Sequence, residues 1–269
     1  MQEYLIKTGY EKLDELIGGF LPGEVTIIGS RPAVGKSLFL QAIIERTILR
    51  SGTPSLFFSI DKPSEMIYGH FVTLMSGISY SKIRQGGHQK LDEEDAATVE
   101  RLQKQIRDLP LIIYDNENLN INDLCYESRH AYKAKAIEII YIDYLSLLKT
   151  ENEYEKQPYD EQYSTNIRKV KELAQELNIP IVVNWQMYRK ASYKEPVLQD
   201  LYGSPVIENV VDNILILHRK PLKDGHYLSP VEVIVGKNSH GDLGSIGMKF
   251  NYKSLSFEIS FVTPQQTEG

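Results

Sequence analysis

The chain has 269 residues, of which 42% are hydrophobic and 25% are charged, and its formal net charge is −6. This composition is typical of a folded globular protein, and the acidic balance excludes a uniformly basic nucleic-acid-binding protein. The single cysteine, Cys125, excludes an internal disulfide and a cysteine zinc site, and it suits a reducing compartment such as the cytoplasm. The sequence shows no signal peptide, and no run of about 18 to 20 apolar residues predicts a membrane span.

Apolar runs rich in β-branched residues recur along the chain and predict strands. Most of these runs are unbroken rather than alternating, as expected for strands that are covered on both faces. Segments with helical periodicity lie between them; one opens with Ser64 as the expected N-cap, and another carries acids in its first turn. The predicted strands are 25–29, 55–60, 110–114, 137–143, 179–185, 213–218 and 231–237, and the predicted helices are 37–50, 64–75, 91–106 and 163–177.

The pattern changes after residue 218, where the remaining segments predict strands joined by turns that contain Gly and Asp. Alternating strands and helices followed by such a tail predict an α/β fold: a mostly parallel twisted sheet with helices on both faces and an antiparallel C-terminal edge. We find no repeat, low-complexity region or linker, and we expect one domain over 1–269. Within it, 1–20 would form a lead-in helix and turn, and 219–261 the β-rich edge.

The junction between the first predicted strand and helix carries most of a phosphate-binding signature. The P-loop pattern is Gly, four residues, then Gly-Lys-Ser/Thr; Gly35, Lys36 and Ser37 match it, whereas Ser30 stands at the first glycine. Backbone amides of such a loop bind phosphate oxygens, Lys36 would reach the β- and γ-phosphates, and Ser37 would hold Mg²⁺. A glycine turn with a solvated lysine is the alternative. The predicted binding residues are Ser30, Arg31, Pro32, Ala33, Val34, Gly35, Lys36, Ser37 and Leu38.

A second acidic residue is needed near a P-loop, at the end of a neighbouring apolar strand, to complete the metal shell. Asp143 ends the predicted strand IEIIYID. An acid at such a position is costly to bury unless it has a role or a partner. We therefore predict that Ser37 and Asp143 hold the metal; an aspartate that merely caps a turn is the alternative.

Several segments, in chain order, resemble the ATPase domain of DnaB-family replicative helicases. They are TGYEKLDELIGGFLPGEVTIIGSRPAVGKS, LFFSIDKPSEM, IRQGG, YIDYLSLL, VKELAQELNIPIVV, NWQMYR, DLYGSPVIENVVDNILILHR and VIVGKNSHGDLGSI. The resemblance covers nearly the whole chain and implies a RecA-like fold, ATP with Mg²⁺, and a ring, expected to be a hexamer, with nucleotide at subunit interfaces. The family's amino-terminal collar domain has no counterpart among these segments.

The resemblance also implies roles for individual residues. By position, Lys36 and Ser37 bind phosphate and metal, and Asp143 is the Walker B acid. Gln186 in NWQMYR would sense the γ-phosphate, although an ordinary amide at the end of a strand is the alternative. Lys237 in VGKNSHG matches a lysine that reaches the nucleotide of a neighbouring subunit.

Two catalytic positions depart from the family pattern. Asp61 replaces the catalytic glutamate and is one methylene shorter, and a misplacement of about 1 Å can lower a rate on the order of 10²-fold. Glu65, one helical turn later, is a candidate to compensate. Ser239 replaces the arginine finger, a group worth about 10³ to 10⁵ in turnover, and a neutral His240 beside it is a poor substitute. We therefore expect slow ATP hydrolysis.

The DNA-facing positions also differ. Tyr202 stands where the family carries a DNA-contacting arginine, and the segment 149–166 sets two lysines against five acidic residues. Channels for single-stranded nucleic acid are normally basic and carry stacking aromatic rings. The sequence therefore predicts weak binding of single-stranded DNA, although three tyrosines of this loop could stack on bases: Tyr154, Tyr159 and Tyr163.

Three functions remain open on the sequence. The leading one is a DnaB-type DNA helicase motor domain that couples ATP hydrolysis to movement on single-stranded DNA, with replication proteins as partners. The second is a DnaB-derived ATP-binding module with weak or no motor activity, which acts by assembly or partner contact. The third is a relative of RecA-like recombinases or clock-type ATPases, which the loop SRPAVGKS together with IDYL disfavours.

Overall fold

A computed structural model describes residues 5–84, 91–149, 159–188, 195–219 and 228–264. The helices are α1 (Glu11–Ile17), α2 (Lys36–Ser51), α3 (Ser64–Ser76), α4 (Tyr80–Ile83), α5 (Glu93–Arg107), α6 (Ile121–Lys135), α7 (Tyr159–Leu177) and α8 (Ser204–Val210). The strands are β1 (Val25–Ser30), β2 (Ser55–Ser59), β3 (Leu111–Tyr114), β4 (Ile139–Asp143), β5 (Ile181–Gln186), β6 (Asn213–Arg219), β7 (Leu228–Asn238), β8 (Gly244–Asn251) and β9 (Ser256–Pro264). None of the helices in these ranges combines the length and the apolar character needed to cross a membrane.

All of these strands belong to one sheet, in the order β3-β2-β4-β5-β1-β6-β7-β8-β9. The pairs from β3 through β6 are parallel, and β7, β8 and β9 add antiparallel hairpins. The predicted α/β fold, mostly parallel with an antiparallel C-terminal edge, is confirmed. Because β1 lies inside the sheet between β5 and β6, its carboxyl end lies in the middle of the row of strand ends. The carboxyl ends of β5 and β4 come next in this row.

Apolar side chains cover both faces of the sheet, which is why its central strands read as unbroken apolar runs. Successive residues of β1 point to opposite faces, so that Ile27 and Ile28 enter different hydrophobic clusters. One cluster lies under α1, α2, α3 and α5, and the other under α6, α7 and α8. The parallel strands are therefore packed on both sides, and this packing positions the loops at their carboxyl ends.

Three local predictions were wrong or incomplete. Ser64 is the first residue of α3 rather than its N-cap; the cap is Pro63, and the Ser64 amide donates to Asp115 Oδ2 at 2.7 Å. Helix α6 was not predicted, although Asn120 caps it by accepting hydrogen bonds from the amides of Asn122 and Asp123. Helix α7 begins at Tyr159, so that the second half of the expected 149–166 loop is helical. Residues 150–158, with Tyr154, lie outside the described residues.

Candidate functional site

The loop between β1 and α2 forms a concave turn at the carboxyl edge of the sheet. Ala33 has φ of +64° and Gly35 has φ of +108°, both in the left-handed region that turns successive amides toward one side. Helix α2 begins at Lys36 immediately after this turn. The loop therefore presents backbone donors at the positive end of a 16-residue helix, a combination that binds anions.

A cavity of about 360 Å³ lies over this loop. All of the predicted binding residues from Ser30 to Leu38 line it, and so does Gln186 at the end of β5. Two further residues that the sequence did not single out, Lys62 and Tyr144, complete the lining. The cavity therefore extends from the P-loop to the ends of β4 and β5. These are the strands on which Asp143 and Gln186 were predicted as functional residues.

Lys36 is held inside this cavity rather than extended into solvent. Its Nζ donates to the carbonyl of Trp185 at 2.9 Å and lies 4.8 Å from the ring centroid of Tyr144. Burial lowers the pKa of the Lys36 ammonium to about 8, opposed by the carboxylate of Asp143. A desolvated cation of this kind gains more from a phosphate than a solvated lysine does, because the polyanion replaces missing hydration.

Ser37 and Asp143 meet as the P-loop chemistry requires. Ser37 Oγ donates to Asp143 Oδ1 at 3.1 Å, and Asn184 Nδ2 donates to the same oxygen at 2.8 Å. Asp143 is 1% exposed, and its Oδ2 has no hydrogen-bond partner among the described residues. An unpaired carboxylate oxygen beside a serine hydroxyl fits Mg²⁺, which is commonly held by one or two protein groups, waters and substrate phosphates. No cluster of three acidic, His or Cys side chains that could hold a metal by itself occurs in the described ranges.

Asn184 orients Asp143 and was not foreseen from the sequence. We expect Asn184→Leu to weaken the Mg²⁺-dependent part of nucleotide binding about ten- to hundredfold, the usual cost of losing a group that orients a metal ligand. The measurement is a Mg²⁺ titration of fluorescent-nucleotide binding. The control is Asn213→Leu, because Asn213 is also buried but contacts Glu24 and Thr26 at the opposite end of the sheet. Equal Mg²⁺ dependence in both variants would contradict this role.

Asp61, which was predicted at the catalytic position, follows β2 near the same cavity but does not line it. Its Oδ2 forms an ion pair of 2.6 Å with Nζ of the adjacent Lys62. The Asp61 side chain is 42% exposed, which leaves room for a longer residue.

Lys237 lies far from the cavity of its own chain. Because β7 is antiparallel to β6, Asn238 pairs with Asn213 at the start of β6, on the edge opposite the P-loop. Lys237 Nζ donates to the carbonyls of Glu208 at 2.7 Å and Val211 at 2.6 Å, at the end of α8. Among the predicted catalytic residues, Lys237 is therefore the one that the fold separates from the rest.

The residues predicted at and beside the arginine-finger position lie on this same opposite edge. Ser239 Oγ donates to the carbonyl of Asp212 at 2.8 Å, and His240 Nε2 hydrogen bonds with Glu24 Oε1. Both side chains of the turn are exposed. A longer group at Ser239 could therefore reach a phosphate only if another copy of the chain placed its P-loop there.

Tyr202 belongs to a group of aromatic rings beside the cavity. It lies 4.2 Å from Tyr188 and 6.2 Å from Tyr163, measured between ring centroids, and Tyr163 stacks with Tyr159 at 6.3 Å. The predicted aromatic character of this surface is therefore present in the described residues. The acids Asp160 and Glu161 were predicted in the same segment, and they occupy the first turn of α7.

The comparisons with known proteins decide the family. The sequence pattern of the DnaB-like helicase C-terminal domain matches residues 6–259, which is most of the chain. The chain belongs to this family. It is 31% identical over 252 residues to the replicative DNA helicase DnaB of Treponema pallidum (strain Nichols), with 94% of this chain and 55% of that protein covered. The chain thus spans about half the length of the curated relatives that it matches.

Solved structures agree on the fold of this DnaB-type domain. One solved ATPase domain superposes with a TM-score of 0.85 at 22% identity, covering 94% of this chain and 90% of that one. A DnaB-like replicative helicase, described with its interactions with primase, gives a TM-score of 0.83 at 22% identity, covering 94% and 62%. The predicted RecA-like fold and the family resemblance are confirmed.

Proposed function

We propose that this DnaB-type domain binds ATP with Mg²⁺ in the P-loop cavity as part of a replicative helicase. One observation carries the proposal: the contact between Ser37 and the buried Asp143, beside the desolvated Lys36. The three groups come from β4 and the start of α2, and an ordinary turn would have no reason to bury a lysine and an aspartate together. Gln186 lines the same cavity and is suited to sense the γ-phosphate.

We propose further that the domain works in a ring, as a hexamer with ATP at the subunit interfaces. Lys237 and Ser239 are on the edge of the sheet opposite the P-loop, so that they can act on nucleotide only between copies. Lys237 would have to leave the carbonyls of α8 in order to reach a phosphate, and nucleotide in the interface would favour that exchange. A solved relative is described with primase, and we expect replication proteins to bind this domain as well.

Self-association tests the ring. At high protein concentration with Mg²⁺ and a non-hydrolysable ATP analogue, we expect light scattering to give the mass of an oligomer, because phosphate then bridges two copies. The same sample with ADP is the matched control, and it should assemble less. A strictly monomeric mass with the analogue would contradict the proposed interface.

We propose that hydrolysis is slow and that single-stranded DNA is bound weakly. Asp61 is shorter than the family glutamate and is paired with Lys62, and Ser239 carries no positive charge. At the DNA-facing surface, Tyr202 packs among tyrosines beside the acidic start of α7. Phosphate neutralisation supplies most of the affinity for single strands, so that stacking alone would hold DNA weakly. These observations also favour the second candidate, a DnaB-derived ATP-binding module with little motor activity.

Steady-state ATP turnover, measured with and without oligo-dT, separates the two candidates. A motor domain should be stimulated many-fold by the oligonucleotide, whereas the module should respond little. We expect the second result.

A further inference from the structure

Lys62 is a second lysine at the phosphate cavity, and neither the P-loop signature nor the family resemblance assigns it a role. It follows β2 and lines the same cavity as Lys36 and Gln186. Its side chain is 24% exposed and its Nζ pairs with Asp61 Oδ2 at 2.6 Å. An ammonium group has three donors, so that Lys62 can hold Asp61 and still donate to a ligand in the cavity.

The order of the strands places Lys62 on the side of the terminal phosphate. Along the carboxyl edge the sheet reads β2-β4-β5-β1, with Lys62 after β2, Asp143 at the end of β4 and Gln186 at the end of β5. The P-loop amides after β1 bind the inner phosphates, and Lys36 reaches the β- and γ-phosphates. The groups from β2, β4 and β5 therefore lie beyond the P-loop, where the γ-phosphate of a nucleotide would extend.

The charges in the cavity favour a ligand with more negative charge than a diphosphate. Lys36 and Lys62 both line the cavity, and no Asp or Glu of the described residues is among its lining. The nearest carboxylates lie outside the lining: Asp61 pairs with Lys62, and Asp143 accepts hydrogen bonds from Ser37 and Asn184. A γ-phosphate placed between the two ammonium groups would relieve their repulsion.

We propose that Lys62 is a specificity-determining residue that binds the γ-phosphate and makes this site prefer nucleoside triphosphates over diphosphates. This proposal rests on the proposed function, because it assumes that nucleotide occupies the P-loop cavity. Lys62 also links the γ-phosphate to the carboxylate of Asp61 through its two contacts. Lys62 places a positive charge near the γ-phosphate that is bound by its own chain. Ser239, at the predicted arginine-finger position, would bring no positive charge from a neighbouring subunit.

The test compares the dissociation constants of a non-hydrolysable ATP analogue and of ADP, both with Mg²⁺, in Lys62→Met and the unmodified protein. We expect the analogue to bind about ten- to hundredfold more weakly to the variant, the usual effect of losing a hydrogen bond between charged groups. ADP binding should change less than about twofold by the same reasoning, since no contact to the inner phosphates is lost. Lys62→Arg, which keeps the charge, should restore most of the preference for the analogue.

Lys82→Met is the matched control, because Lys82 forms an ion pair of 2.9 Å with Asp95 at similar exposure but does not line the cavity. It should leave both dissociation constants unchanged. An equal loss for the analogue and ADP in Lys62→Met, or no loss for either, would overturn the role of Lys62. If Lys36→Ala left nucleotide binding intact, the cavity assignment itself would fail, and this result is distinct from a failure of Lys62 alone.

Discussion

Replacement of Lys36 by alanine is expected to weaken ATP binding about a hundredfold or more, because charge-assisted hydrogen bonds to two phosphates are lost. Lys36 lines the cavity, with its ammonium 2.9 Å from the carbonyl of Trp185. Calorimetric titration with ATP and Mg²⁺ measures the effect. Lys36→Met, which keeps most of the side-chain volume, should lose a similar amount of affinity, since charge rather than packing is removed.

The control for this experiment is Lys12→Ala. Lys12 pairs with Glu15 on the surface of α1 at 2.8 Å and does not line the P-loop cavity, so that its loss should leave the affinity for ATP unchanged. Thermal unfolding of each variant shows whether the fold is intact. A folded Lys36→Ala protein with an unchanged dissociation constant would contradict the assignment of the P-loop.

The second large effect is expected from restoring the two replaced catalytic groups. Asp61→Glu together with Ser239→Arg should raise ATP turnover on the order of 10²-fold or more in the assembled protein, since an arginine finger alone is worth about 10³ to 10⁵ where it operates. The exposed Asp61 side chain has room for the added methylene, and Ser239 lies on an exposed turn. Steady-state phosphate release measures the rate.

The dependence on assembly gives this experiment its control. At concentrations where the chain is monomeric the double variant should gain only what Asp61→Glu gives alone, because residue 239 is on the edge of the sheet opposite the P-loop of its own chain. The control variant is Asp61→Glu with Ser81→Arg. It adds the same two groups but places the arginine at the exposed position 81 in α4. A rate increase of the same size in that control, or none in the assembled double variant, would show that residue 239 does not act on a neighbour's phosphate.

Much of the fold could be predicted because its signals are local. Unbroken apolar runs revealed the parallel strands, and the spacing of Gly35, Lys36 and Ser37 revealed the loop that the structure bends into a phosphate cavity. Helix α6 was not predicted because its buried side includes small and polar residues, such as Ser128 and Ala131. Its apolar periodicity is therefore weak. The start of α7 was not predicted because the first turns of this helix are polar and partly exposed.

The contacts within the candidate site were less accessible to sequence reasoning. Asn184 is 41 residues from Asp143, and Ser37 is 106 residues from it. These residues meet only because β4 pairs with β5 and β5 with β1, a strand order that no local pattern specifies. The adjacent residue Lys62 could have been noticed as a charge beside Asp61, but its place at the cavity depends on the same strand order. The roles of Gln186 and Lys237 remain predictions.

We propose that this domain binds ATP with Mg²⁺ but turns it over slowly and responds little to DNA. Steady-state ATP hydrolysis by the unmodified protein, at concentrations where it is assembled and with and without oligo-dT, tests it most directly. We predict a rate far below one turnover per second, because Asp61 is too short to position the attacking water well and Ser239 cannot neutralise charge on the γ-phosphate. We also predict little change in this rate with oligo-dT. A rate of several turnovers per second, stimulated many-fold by oligo-dT, would show instead that the domain is an ordinary helicase motor.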